Sequence, residues 1–398
     1  MKKNFFFLIL KILLFQIKIK FKLPKKIDIF VFDREDLLSI DPILKIFKNK
    51  ILIDGRFSST KKIYLNLAII KEINKNYQGD LSTAYYSSLI NLIKPKLILT
   101  FVDNSWMFSK LTKKFYKKFH FLAIQNAVRY EIKINNNLYK KKIEKTNLNK
   151  NFFYDNFLTF GKYEIDHYRN NNIFIRDAQD IGSLRLANAI NNLKTRKRKI
   201  KKNKYDICII SDAFIVGTDN RFGLSGLEKG QIKYIKSIIK IIKKHNLNFI
   251  FCFKRFQNNI NKEMLFYETY LTKKELEFIK NNSTDRLDDK YNSSYQRMLE
   301  SKLTVSRWSS MLRENIALGR KSLSINYSGK EVSNFPIKGI CAIKNPDYNT
   351  LENRVLKLIN MSEKKYIKLL NKKDKYLINN DISMTKKKII NKIRELIK

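Results

Sequence analysis

The stretch KLTVSRWSSMLRENIALGRKSLSIN, from Lys302 to Asn326, contains residue types that suit a phosphorylated ligand. Ser306 ends an apolar run, Ser309 and Ser310 open a predicted helix, and Glu314 follows about one turn later. The first turn of a helix offers unbonded N–H groups and a positive dipole end to an anion. We therefore predict that these serines bind a diphosphate and that Glu314 binds the hydroxyls of a ribose. Alternatively, Ser309 only caps the helix and Glu314 lies on the surface.

Polar residues also follow two earlier apolar runs that are predicted strands. Asp103 comes directly after LILTFV, and Asn126 and Arg129 come after FLAIQ. In open α/β sheets, ligands bind beyond the carboxyl ends of the strands. Asp103 is therefore a candidate general base, Asn126 a second catalytic candidate, and Arg129 a ligand for phosphate or carboxylate. Alternatively, Asp103 and Asn126 cap the helices that follow them.

Two more segments carry groups that suit a pyrophosphate. Gly182 and Ser183 precede the helical pattern LRLANAI, where a glycine turn leaves backbone N–H groups for phosphate, and Arg185 adds positive charge. Lys254 and Arg255 follow the apolar run FIFCF and are predicted to lie at the carboxyl edge of the sheet, where the serines of the first stretch also lie. For these two residues, a solvated pair of cations is the alternative.

The sequence lacks the short motifs of several other enzyme classes. It has no GxGxxG, P-loop, HExxH or Gly-x-Ser-x-Gly sequence, and its three histidines are scattered. Its three cysteines lack CxxC spacing, which argues against a zinc site or a disulfide framework. Cys208 and Cys252 lie in apolar runs typical of buried thiols in a reducing compartment. We therefore predict a cytoplasmic protein with no metal and no bound cofactor.

Short apolar runs alternate with helical patterns along most of the chain. Strands are predicted for IDIFVF, ILID, LILTFV and FLAIQ in the first half, and for YDICIIS, NFIFCF, KLTVS and KSLSIN in the second. Strands separated by helices pair in parallel through right-handed crossovers. The predicted fold class is therefore α/β. Because 398 residues are many for one core, we expect two such domains facing a cleft, followed by C-terminal helices.

Changes in composition divide the chain into five segments. Residues 1–25 are basic and apolar, and they resemble a secretory signal without its cleavage site. Two interpretations remain for them: a basic helix on the inner membrane surface, or a helix or strand packed on the first domain. The other predicted segments are an α/β domain (26–190), a basic linker (191–204), a second α/β domain (205–349) and a helical tail (350–398).

The chain carries a large positive charge. Lysine and arginine total 81 against 36 aspartate and glutamate residues, a formal net charge of +45. The excess is spread along the chain with many asparagines and isoleucines, as in proteins from AT-rich genomes, so no specific nucleic-acid partner is expected. A basic surface still favours contact with an anionic membrane surface or with nucleotide phosphates.

Six segments together resemble the bacterial surface-carbohydrate (polysaccharide and lipopolysaccharide) biosynthesis proteins, which are relatives of glycosyltransferases with the GT-B fold. They are KPKLILTFVDNSWMFSKL, FLAIQNAVR, FLTFGKYEIDHY, IGSLRLANAI, YDICIIS and SSMLRENIALGRKSLSIN, in the family's order. They cover most of the chain from Lys26 to Asn360. Two positions depart from the family pattern: Ala127 replaces a glycine, and Ser309-Ser310-Met311 replaces Ser-Thr-Leu.

The resemblance implies two Rossmann-like domains facing a cleft, at 26–190 and 205–349. It implies that the second domain binds a nucleotide sugar and that the first domain faces the acceptor. The implied activity is metal-independent transfer of a sugar from a nucleotide donor to a surface polysaccharide or a lipid-linked glycan, on the cytoplasmic face of the membrane. Two alternatives stay open. One is an enzyme that remodels the nucleotide sugar, as the non-hydrolysing epimerases do. The other is a non-catalytic assembly protein that docks on the membrane.

Overall fold

The computed structural model describes residues 18–32, 37–52, 62–128, 152–195, 200–212, 214–219, 225–254, 257–283 and 292–398. The strands described in the first half of the chain are β1 (Lys18–Lys20), β2 (Ile29–Val31), β3 (Lys50–Leu52), β4 (Lys62–Tyr64), β5 (Leu97–Thr100), β6 (His120–Ile124), β7 (Phe153–Thr159) and β8 (Phe174–Asp180). Six of them form a parallel sheet in the order β3-β2-β5-β6-β7-β8, and β1 pairs with β4.

The helices described in this half are α1 (Leu37–Leu44), α2 (Leu67–Asn76), α3 (Leu81–Ile93), α4 (Trp106–Phe115), α5 (Lys162–Asn170) and α6 (Leu184–Thr195). Capping side chains fix the N-terminal ends of three of these helices. Asn66, Asp80 and Ser105 accept hydrogen bonds from the first-turn N–H groups of α2, α3 and α4. Because Ser105 caps α4, the alternative that Asp103 caps this helix is wrong.

Side chains alternate between the two faces of the first sheet, and each face has its own core. Ile98 and Phe121 point into an aromatic-rich core with helices α3 and α4. Leu97 and Leu99 point into a second core on the opposite face. Both faces are covered, which explains why the central strand β5 is buried at every position.

The second half of the chain builds another parallel sheet. Its strands are β9 (Tyr205–Ile210), β10 (Phe249–Cys252), β11 (Ser301–Ser306), β12 (Ser322–Asn326) and β13 (Ala342–Lys344), in the order β10-β9-β11-β12-β13. Its helices are α7 (Leu227–Lys244), α8 (Gln257–Tyr270), α9 (Lys273–Asn281), α10 (Asn292–Leu299), α11 (Ser310–Ala317), α12 (Tyr348–Asn360), α13 (Glu363–Leu370), α14 (Lys373–Leu377) and α15 (Thr385–Ile397). Helix α7 buries isoleucines that recur every three or four residues along one face, including Ile232, Ile235, Ile239 and Ile242.

The last helix returns to the first sheet. Ile389 and Ile393 of α15 lie in the same core as Leu97 and Leu99, and Lys96 donates a hydrogen bond to the carbonyl of Ile397 over 2.8 Å. The segment around Leu377, which leads to α15, passes very close to Gly161, where an added Cβ would lie 2.5 Å from the backbone of Leu377. The C-terminal helices therefore join the two units.

The predicted fold class is confirmed: two parallel α/β units with C-terminal helices. Helix α6 runs to Thr195, five residues into the segment predicted as a linker. Residues 1–17 and 196–199 lie outside the described part of the chain. Within the described ranges, no helix has the length and apolar character needed to cross a lipid bilayer.

Candidate functional site

The candidate site lies at the carboxyl edge of the second sheet, where β9 and β11 end side by side. Ser306, the last residue of β11, lies 2.9 Å from the carbonyl of Ile210 and 3.0 Å from Oδ1 of Asp212. Its hydroxyl therefore ties the ends of the two strands together. This bonding fixes the position from which the chain enters helix α11.

Arg307 is the first residue beyond β11, and its side chain is fully buried. The guanidinium group lies 4.4 Å from the ring of Phe214 and 3.7 Å from the ring of Trp308. Its Nε is 3.6 Å from Oδ2 of Asp212, and Nη1 donates to Ser333 over 3.3 Å. A permanent cation is thus held at the centre of the sheet edge. Sequence reasoning missed Arg307, although a cation directly after a buried strand is the signal that selected Lys254.

Helix α11 begins at this edge with the two predicted serines. Ser309 is the N-cap, and its Oγ accepts a hydrogen bond from the N–H of Met311 over 3.4 Å. Ser310 is the first helical residue, and its half-buried hydroxyl makes no hydrogen bond within the described structure. Ser309 thus has the capping role that the alternative gave it, while Ser310 presents a hydroxyl at the positive end of the helix.

Glu314 lies on the same helix and is fully buried, so the alternative that it is a surface residue is wrong. Its Oε1 accepts from the hydroxyl of Ser183 over 2.5 Å, and its Oε2 accepts from Tyr295 over 2.9 Å. Burial raises the pKa of Glu314, while these hydrogen bonds and the nearby charge of Arg185 act in the opposite direction. Because Ser183 belongs to the first unit, this contact joins the two units at the candidate site.

A buried ion pair reinforces the junction. Arg313, the residue before Glu314, donates a hydrogen bond through Nη1 to Oε1 of Glu164 on helix α5. Its guanidinium carbon lies 4.9 Å from the ring of Tyr163. Two consecutive residues of α11 therefore hold the first unit, which fixes the helix between the two sheets.

The turn before α6 uses its polar groups internally. Gly182 adopts a positive φ of 84°, and its N–H donates to the carbonyl of Phe160 over 3.2 Å. Ser183 Oγ also accepts from the N–H of Leu186 over 3.2 Å, as a helix cap does. Arg185 is half-buried on α6. The structure thus brings Ser183, Arg185 and Glu314 together.

Asp103 and Asn126 also meet, at the carboxyl edge of the first sheet. Asp103 is buried, and its Oδ1 accepts from the backbone N–H of Asn126 over 3.1 Å. The backbone carbonyl of Asp103 accepts from the hydroxyl of Tyr154 over 2.6 Å.

The backbone N–H of Lys254, an exposed residue beyond β10, donates to Glu263 over 3.2 Å. Arg129 and Arg255 lie outside the described residues.

A cavity of about 520 Å³ opens beside the ends of β12 and β13. Its lining combines polar groups with aromatic and aliphatic surface, and it includes Tyr163, Ser324, Asn326, Glu331, Phe335 and Lys338. Tyr163 comes from the first unit and packs against Arg313, so the cavity borders the junction described above. The space suits a sugar-sized polar ligand. Within the described residues, no group of three or more His, Cys, Asp or Glu side chains is placed to hold a metal ion.

Comparisons with known proteins find the fold but no family. No protein-family model and no curated protein sequence matches the chain. The solved structure of the wall teichoic acid polymerase TagF matches 94% of this chain and 90% of its own, with a TM-score of 0.53 and 12% identity. A UDP-forming α,α-trehalose-phosphate synthase from Burkholderia vietnamiensis matches 94% and 98%, with a TM-score of 0.51 and 12% identity. This chain therefore has the two-unit fold of these enzymes.

Proposed function

We propose that the protein is a GT-B-type glycosyltransferase that moves a sugar from a nucleotide-sugar donor to a glycan or lipid-linked acceptor of the cell surface. The observation that carries the proposal is the position of helix α11. It starts at the carboxyl edge of β11 and reaches the first unit through Arg313 and Glu314. An anion at its first turn would therefore lie between the two units, where a donor and an acceptor can meet.

The overall likeness supports the same class of reaction. Both enzymes reported above match nearly the whole length of this chain, so the likeness extends across both units. The name of the Burkholderia enzyme describes it as UDP-forming, which means that a nucleoside diphosphate leaves during its reaction. A leaving diphosphate is the kind of anion that a helix N-terminus and a fixed cation stabilise.

We assign the diphosphate to the first turn of α11. The N–H groups of that turn, the hydroxyl of Ser310 and the charge of Arg307 would together stabilise the negative charge that develops as the sugar leaves. Ser309 would hold the turn in place through its cap. In this proposal Lys254, at the same sheet edge, contributes longer-range positive charge.

The ribose role of Glu314 requires a rearrangement. Glu314 is fully buried and its two carboxylate oxygens accept from Ser183 and Tyr295, so a ribose can reach it only if at least one of these contacts opens. Displacement of Ser183 would loosen the contact between the units, and donor binding would then be linked to their separation. We propose that Glu314 accepts the ribose hydroxyls in this way.

The first unit supplies the acceptor side. Asp103 is proposed as the general base, with its position fixed by the N–H of Asn126. Because Asp103 is buried, an acceptor hydroxyl would have to enter the edge of the first sheet to reach it. Asp103→Asn keeps the size of the side chain and removes its basicity. We expect it to lower kcat strongly and to leave donor binding unchanged.

The test is a thermal-shift series with purified protein and the mono- and diphosphates of uridine, cytidine, guanosine and thymidine, together with their common sugar conjugates. Stabilisation by the diphosphates of one base supports the nucleotide site, because a ligand that binds only the folded state raises its melting temperature. Incubation of the stabilising sugar conjugate with and without glycan acceptors then measures transfer. No shift with any nucleotide, in protein that melts cooperatively, would overturn the proposal.

A further inference from the structure

The exposed positions of helix α7 are all lysine. They are Lys229, Lys233, Lys236, Lys240, Lys243 and Lys244; the first five recur at intervals of three and four residues, and Lys244 follows Lys243 directly. Such spacing places them on one face of the helix. At 1.5 Å per residue the row is about 22 Å long. The acidic residue of this helix, Glu228, is buried and does not interrupt the row. Carboxylates of neighbouring helices pair with two of the lysines, Lys236 with Glu275 and Lys244 with Glu352.

Aromatic rings hold several of these ammonium groups in place. Lys233 lies 4.7 Å from the ring of Tyr327, Lys240 lies 4.3 Å from the ring of Tyr348, and Lys243 lies 4.7 Å from the ring of Phe278. Cation–π contacts of this length restrict long, flexible side chains. Binding of an anion to the row therefore costs less side-chain conformational entropy than binding to unconstrained surface lysines.

The row runs from the candidate site to the opposite edge of the second sheet. At its start, Gly230 packs against the backbone of Ser328, in the loop that follows β12 at the carboxyl edge. At its end, the chain turns directly into β10 at the amino edge. There Lys243 lines a second cavity of about 520 Å³. The other polar and aromatic lining residues of this cavity include Lys204, Asn246, Asn248, Phe278 and Asn282.

We propose that the lysine row of α7 and the cavity at its end form an extended binding surface for an anionic glycan, the acceptor chain. The proposal rests on the proposed function and names the class of its acceptor. Lysines contact carboxylate or phosphate groups along the chain, and the three asparagines of the cavity bind sugar hydroxyls. A long acceptor is thereby retained while its end lies at the junction of the two units.

Two features favour a glycan over other anionic partners. The rings beside the row already lie under ammonium groups, which leaves them poorly placed to stack the bases of a single-stranded nucleic acid. The exposed large apolar side chains of the described residues include none on α7, whereas a helix that binds a membrane surface inserts such side chains. Polar amides and fixed cations suit a hydroxyl-rich polyanion.

The test compares two variants that lose the same charge. One replaces the lysines of the row that form no ion pair in the described structure: Lys229→Gln, Lys233→Gln, Lys240→Gln and Lys243→Gln. The control replaces exposed lysines of α13 and α15: Lys364→Gln, Lys365→Gln, Lys368→Gln and Lys387→Gln. The probe is fluorescently labelled oligogalacturonate, measured by anisotropy at several salt concentrations. Uncharged dextran of equal length, single-stranded DNA and phosphatidylglycerol vesicles are measured in parallel.

We expect the row variant to weaken oligogalacturonate binding about tenfold, as four exposed charge contacts of ordinary strength would, and to flatten its salt dependence. The control variant should change binding less than threefold, and dextran should bind weakly to every protein. Equal losses in both variants would overturn the proposal, as would tighter binding of DNA or vesicles that depends on the same four lysines. Donor binding, measured separately by thermal shift, shows whether the proposed function fails instead.

Discussion

The hydroxyl of Ser183 and the carboxylate of Glu314 meet at 2.5 Å, although the two residues belong to different units of the molecule. Both positions were selected from the sequence as parts of a nucleotide site. Their contact shows that the turn before α6 and the helix α11 are neighbours in the fold. It also gives the buried carboxylate a partner whose loss can be measured.

The Glu314 carboxyl group should make stability depend on pH. Burial raises its pKa above the ordinary value of 4.5, so the folded protein holds this proton to higher pH than the unfolded chain does. Its contribution to stability is therefore complete below the unfolded pKa and is lost as the pH rises through the folded pKa. Glu314→Gln has no such loss, so the free energy of unfolding of this variant should rise relative to that of the native protein as the pH increases above 4.5.

Urea denaturation at a series of pH values measures this difference. Glu277→Gln, on the exposed side of α9, is the matched control and should follow the native protein at every pH. Parallel curves for Glu314→Gln and the native protein would show that the carboxyl group titrates normally, and the account of its burial would then be wrong.

The ion pair between Arg313 and Glu164 should be costly to break from one side. Both side chains are almost completely buried, and removing one leaves the other charge without its counterion. Arg313→Met should lower the free energy of unfolding by about 3–5 kcal/mol. The double variant Arg313→Met with Glu164→Met should be more stable than either single variant. A double-mutant cycle in urea measures this coupling, and additive effects would contradict it.

Gly161 should tolerate no side chain, because the C-terminal connection occupies the space. Its φ is −153°, which any residue can adopt, yet an added Cβ would lie 2.5 Å from the backbone of Leu377. We expect Gly161→Ala to cost more than about 3 kcal/mol. Gly319→Ala is the control, with a φ of 74° and open space around the site, and it should cost about 1 kcal/mol. Thermal and urea unfolding distinguish these results, and equal costs would contradict the close approach.

Much of the sheet framework follows from the sequence. Strand β5 is a continuous apolar run because both of its faces are covered, and helix α3 begins at Leu81 because Asp80 caps it. By contrast, β8 was not predicted. It is an edge strand whose residues are mostly exposed or half-buried, so FIRDAQD lacks an apolar signal. The sequence predicts a helical tail over 350–398, but the packing of α15 on the first sheet depends on long-range contacts that local patterns do not encode.

In the candidate site, too, local features could be predicted from the sequence and features that depend on long-range contacts could not. The serines at the start of α11 were predictable because caps and helix starts are local features. The burial of Glu314 was not, since it depends on Ser183 and Tyr295, which lie far away in the sequence. Arg307 is not among the predicted site residues, because lysine and arginine are so abundant in this chain that one cation after a strand carries little information. Only the fold shows that this cation is enclosed by two aromatic rings.

The most direct test of the central claim is calorimetric titration of the nucleoside diphosphate that stabilises the native protein most. It is titrated into the native protein, Ser310→Asp and Ser362→Asp. An aspartate suits the start of either helix, so both variants should fold. If the diphosphate binds at the first turn of α11, Ser310→Asp should abolish binding by charge repulsion, and Ser362→Asp should bind as the native protein does. Equal affinity in all three proteins would place the diphosphate elsewhere and contradict the proposed donor site.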